Sequence, residues 1–169
     1  MKKSIGPLVA LALVATACAT DRPLPTAPVP AAARVLPRSS YVVASDSAVA
    51  AGGELVVTAN VDAAVGSERV ASFLARLRFD TLQLVFESDD AVPGVMRAVN
   101  PGTGVVVVAG ATAAGIPDTR LFVLHFRARV AVTQPTLTLA IDELNTVQYV
   151  NRISTLRTLG AVRFDHSLK

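Results

Sequence analysis

Tryptophan is absent from the 169 residues, tyrosine and histidine occur twice each, and there is one cysteine. Each scarcity closes off a class of function. With Tyr41 and Tyr149 as the whole supply of large polar aromatics, the flat platform on which sugars stack is hard to assemble. A lone Cys18 allows neither an internal disulfide framework nor a cysteine-rich zinc site. His125 and His166 stand in no His/Cys/Asp spacing suited to zinc, and His125, on the polar side of an alternating run, reads as an exposed residue rather than a catalytic base. No P-loop or G-x-S-x-G elbow occurs, and nothing in the chain implies a cofactor. Excess charge is lacking too. Sixteen basic residues face 13 acidic ones, and without Lys2 and Lys3 the balance is 14 to 13. A nearly neutral domain has no general electrostatic attraction for nucleic acid.

What is present begins with a leader. Lys2 and Lys3 form a positive n-region, and Ile5 to Val14 an apolar stretch of about ten residues, within signal-peptide range and short of the roughly 20 needed to span a bilayer. Ala15-Thr16-Ala17 then precede Cys18. The run L-V-A-T-A-C resembles a bacterial lipobox, with Ala15 where Leu is commonest. It predicts residues 1–17 as a lipoprotein signal peptide and Cys18 as the lipidation site. The alternative is an ordinary signal peptide cut after the A-x-A-like site, leaving Cys18 a free thiol. Either way the chain is expected to be exported. The missing Asp after Cys18 resembles sorting to an outer membrane or cell surface. Residues 18–40 hold five of the ten prolines and read as an extended linker, able to reach roughly 60–70 Å from the anchor.

From Tyr41 to residue 165 the hydrophobic content, 51% of the chain and mostly Ala and Val, falls into short alternating runs. Runs are expected at 41–49, 54–61, 69–80, 82–86, 105–108, 120–130, 136–141, 146–151 and 160–164. Asn100-Pro101-Gly102 reads as a turn, and residues 166–169 as a tail. Segment 69–80 is ambiguous in isolation: Val70, Phe73, Leu74 and Leu77 have helical spacing, while Phe73, Ala75, Leu77 and Phe79 alternate with polar neighbours. No good N-cap precedes it. Leu121 to Val130 repeats its build, with Phe122, Leu124 and Phe126 inward and His125, Arg127 and Arg129 outward. Two such segments read as sister strands of one sheet. The whole predicts an all-β fold, an eight- to nine-stranded jelly-roll β-sandwich.

The order V-A-A-G-G-E-L-V-V-T-A-N-V, V-A-S-F-L-A-R-L-R-F-D-T-L-Q-L-V, G-V-V-V-V-A-G, L-F-V-L-H-F-R-A-R-V and P-T-L-T-L resembles a cohesin domain, over roughly residues 41–165. Thr81 stands where that pattern has Pro. The resemblance implies that 69–80 and 120–130 are neighbours, and that the face carrying them receives a dockerin. That face would gather Leu74, Arg76, Arg78, His125, Arg127 and Arg129. Carboxylates cluster at Glu87-Ser88-Asp89-Asp90, expected as a loop, and at Asp142-Glu143. Asp89 and Asp90 are the calcium candidates, against a reading of solvated charges, and no EF-hand or other metal pattern is formed. The expected function is a non-enzymatic, lipid-anchored binding module whose partner is dockerin-like or another envelope protein. The alternatives are a carbohydrate-binding accessory of a polysaccharide-degrading system and a structural envelope lipoprotein.

Overall fold

Side-chain alternation with period two organises nearly every segment into strand. The computed structural model of the protein describes residues 38–62, 69–116 and 120–168; the leader, Cys18 and the linker as far as residue 37 lie outside the described residues. In chain order the strands are β1 (Arg38–Ala44), β2 (Ala48–Val49), β3 (Glu54–Val61), β4 (Val70–Phe79), β5 (Leu84–Asp90), β6 (Met96–Gly102), β7 (Val105–Ala111), β8 (Arg120–Ala128), β9 (Val132–Thr133), β10 (Leu137–Thr146) and β11 (Leu156–Phe164). A larger sheet has the order β11-β1-β3-β8-β5, a smaller one β10-β4-β7-β6, and β2 and β9 form a separate ribbon. Within the two sheets, neighbours are antiparallel except β1 and β11, which run parallel. The expected β-sandwich is what forms.

The strand reading of 69–80 holds, since β4 buries Phe73, Ala75 and Leu77 on one side. The pairing of β4 with β8 does not. β4 belongs to the smaller sheet and β8 to the larger. Their apolar sides face each other across the core: Phe73 stacks on Phe122 at 6.2 Å and Phe79 meets Phe126 edge-on at 5.0 Å. Alternation reports that a strand has one covered side. It does not say which sheet the strand joins, because both inner faces feed one core. Arg76 and Arg78 therefore point away from His125 and Arg127.

Four local expectations change as well. Asn100-Pro101-Gly102 is not a turn but the end of β6, an edge strand, where proline is tolerated; the reversal falls at Thr103-Gly104, with Gly104 at φ +68°. Leu82 is 79% exposed in a turn, not in a strand. Asp80 makes that turn: its side chain accepts from the Leu82 amide at 2.8 Å and its carbonyl accepts from the Leu84 amide at 2.8 Å. Residues 147–151 form a turn after a longer β10, held by the isolated bridge Asn145–Asn151 and by backbone bonds such as Val147 N to Arg69 O at 3.0 Å. Glu87 to Asp90 form part of β5 rather than a loop.

Candidate functional site

Rows of paired residues cross the outer face of the smaller sheet. From β10 to β6 they are Thr138-Arg78-Val105-Gly102, Ala140-Arg76-Val107-Asn100, Glu143-Leu74-Ala109-Ala98 and Asn145-Ser72-Ala111-Met96. The centre, Leu74 with the β7 residues Val105, Val107, Ala109 and Ala111, is apolar and half-buried. Gly110, on the inner side of β7, lets the Phe73 ring lie directly against the backbone, where a Cβ would collide with it. That contact packs the Phe73 ring against the inner side of β7, the neighbour of β4 in the sheet.

Charges sit at the rim. A bulge in β10 between Ile141 and Glu143 turns Asp142 to the outside. Its carboxylate takes a forked pair of bonds from Arg76, Nε at 2.7 Å and Nη2 at 2.5 Å. Arg78 forms no ion pair among the described residues, and neither does Glu143, which accepts from the Asn145 amide at 2.5 Å. At the edge of the last row Met96 is 78% exposed, Tyr149 in the turn after β10 is 94% exposed, and both line one depression of about 410 Å³.

The outer face of the larger sheet is wired differently. Arg127 is held by Glu87 through two bonds, one of them from Nη2 at 3.1 Å. His125 Nδ1 lies 2.6 Å from Glu54, and its Nε2 lies 3.1 Å from Asp90, off the line of a good hydrogen bond. Arg129 has no ion pair among the described residues and lines a hollow with Phe79 and Phe86. On the same sheet, Arg163 covers the Tyr41 ring at 4.0 Å. The expected six-residue face is thus split between opposite sides of the sandwich: Leu74, Arg76 and Arg78 on one, His125 and Arg127 on the other, with Arg129 just past β8.

Asp89 and Asp90 diverge, as consecutive strand residues must. Asp89 turns between the sheets to meet Arg97 Nη2 at 2.7 Å, and Asp90 turns outward to His125. Each is matched to a cation and they do not converge on an ion. No group of three potential metal ligands occurs among the described residues.

Burial of His125 opposes its charged form, but the hydrogen bond it makes to Glu54 and the flanking carboxylates of Asp90 and Glu54 outweigh that and raise its pKa above the ordinary value. A raised pKa stabilises the fold below the unfolded value, about 6.5, and the gain fades as pH climbs through the folded value. His125→Gln should therefore unfold at lower denaturant than wild type at pH about 5.5, with the gap closing by pH about 8.5. A gap that is constant or widens with pH would remove the imidazolium from this network.

No family model and no curated protein matches the chain. Solved structures do. A non-cellulosomal cohesin from the archaeon Archaeoglobus fulgidus superposes with a TM-score of 0.58 at 18% identity, over 75% of this chain and 91% of its own. The cohesin of a type I cohesin–dockerin complex from Clostridium thermocellum gives 0.57 at 11%, over 75% and 99%. The sixth cohesin of scaffoldin B from Acetivibrio cellulolyticus, solved with a Cel5 dockerin mutant, gives 0.55 at 14%, over 75% and 99%. The domain has the cohesin fold. On a cohesin-like scaffold the rows above become one continuous outer surface, and the residues missed by sequence reasoning become explicable. Met96 lies on β6, which Pro101 and Gly102 disguised as a turn. Tyr149 lies in a segment taken for a strand, and its exposure left no trace in any periodicity.

Proposed function

We propose that this cohesin-like domain is a non-catalytic module that receives a dockerin-type protein on the outer face of the smaller sheet, displayed outside the cell by a lipid on Cys18. The apolar floor of that face carries the reading. It has the anatomy of a protein interface, an apolar centre with polar residues around it. At the centre of the larger sheet, Arg127 and His125 are already engaged by Glu87, Glu54 and Asp90, so a partner there would have to replace contacts that exist. The fold supports the reading, and two of the similar structures described above are cohesins solved with dockerins. The anchor rests on the lipobox-like run alone. For the glycan-binding alternative a stacking platform is needed, and the two tyrosines do not supply one: Tyr41 is engaged by Arg163 on the larger sheet, and Tyr149 stands beside the smaller.

Ala109 faces outward at the middle of the floor, so Ala109→Arg should leave the core untouched and weaken partner capture by more than about ten-fold. The measurement is quantitative capture from the native envelope fraction, with Arg127→Ala on the larger sheet as the control expected to bind normally. Equal capture by wild type and a folded Ala109→Arg would place the site elsewhere.

A further inference from the structure

We infer that one end of this docking face is a cradle for a lysine or arginine side chain of the partner; the inference rests on the docking reading above and names the chemistry at its anchor point. Two adjoining depressions share Ser72, Met96 and Ala111; Glu143 lines one and Tyr149 the other. Around them the polar groups largely satisfy each other. The Asn145 amide donates to Ser72 Oγ at 3.1 Å and to Glu143, and Thr146 Oγ1 accepts from the Val150 amide at 3.4 Å. What is left to a ligand is an apolar trough, an open aromatic ring and one carboxylate with no cation among the described residues.

Those three features recognise a single kind of side chain. A lysine or arginine has a methylene stem that covers apolar surface, and a cationic head that binds carboxylates and aromatic faces. A purely aliphatic side chain would fill the trough but leave Glu143 partly desolvated without a counter-charge. An acidic one would meet Glu143 with like charge. Tyr149 is also held at φ +60°, an uncommon conformation for a bulky residue, with its amide donating to Thr146 O at 2.9 Å. The turn thereby presents the ring at the rim of the trough instead of folding it onto the sheet.

The far end of the face fixes the partner's polarity. Arg78 lies four strand residues from Leu74, the neighbour of Glu143, which is about 14 Å at the strand rise. A helix rises that far in about nine residues, and the next position that returns to the same face is about eleven residues on, three turns away. The occupant that matches both ends is a helix with a lysine or arginine at the Glu143–Tyr149 end, small or aliphatic residues between, and an acidic residue about eleven positions away, on the same helix face, reaching Arg78.

The test uses the isotope-labelled full chain and three peptides held helical by a lactam staple. All share a leucine–alanine face and a glutamate about eleven residues from one variable position, on the same face, and that position is lysine, norleucine or glutamate. Amide shifts report both affinity and place. The lysine peptide should perturb Leu74, Ala111, Asn145 and Tyr149, and bind about five-fold tighter than the norleucine peptide at low salt. That advantage should shrink towards about 0.5 M salt. Glu143→Gln and Tyr149→Ala should each reduce it, while Tyr149→Phe, which keeps the ring, should retain it. Equal affinity of lysine and norleucine peptides on this face would overturn the cradle and leave the docking face standing. Shifts confined to the larger sheet, or no binding by any peptide, would overturn both.

Discussion

Phe126→Ala should destabilise the domain by about 3–5 kcal/mol, the largest loss expected from any single truncation here. Phe126 is fully buried at the centre of β8, the strand that joins β3 to β5. Its ring meets Phe79 of the smaller sheet at 5.0 Å and Phe86 of the edge strand β5 at 5.9 Å, both edge-on. Removing it takes away the transfer free energy of one ring and opens a cavity where three strands converge, with no large neighbour free to move in. The neighbouring Arg127→Ala gives the contrast. Arg127 lies on the outer face and its ion pair with Glu87 is solvent-exposed, a type that contributes little to stability. Denaturant midpoints of the two variants measure the difference directly. The reverse ranking would mean that β8 is shifted by one residue, which would turn every side chain over.

Cys18→Ser should convert a membrane-bound protein into a released one. Each buried methylene of an acyl chain contributes about 0.8 kcal/mol of membrane affinity, so a diacylated cysteine holds the chain firmly and a serine has nothing comparable. Labelling with a fatty-acid analogue should tag the wild type and not the variant, and only the variant should leave the membrane fraction. The mass of the N-terminal peptide separates the two readings of the leader, since cleavage after Ala17 exposes Cys18 in both and only lipidation adds acyl groups. A Cys18→Ser protein that still carries label would sink the anchor.

The sequence by itself determined the fold class and which side of the longer strands is buried. The runs at 54–61, 69–80 and 120–130 each alternate over several residues, and burial of one side of a strand imposes that pattern directly. The motif order was legible for the same reason, and it pointed to the cohesin fold before any coordinates. Tertiary structure alone decided which strands share a sheet. Two strands with the same in-and-out pattern can lie side by side or face to face, because either arrangement buries the same side. Pairing is set by backbone hydrogen bonds, which leave no mark in side-chain type. Hence Arg76 and Arg127, so alike in sequence context, ended on opposite faces, one held by Asp142 and the other by Glu87. The carboxylates that neutralise them lie 66 and 40 residues away in the chain, a separation that local patterns do not span. Met96 and Tyr149 likewise meet at one depression only because β6 and the turn after β10 reach the same end of the smaller sheet. Strand periodicity is a local property of burial, while a site is a property of which distant segments are brought together, and only the folded chain supplies that.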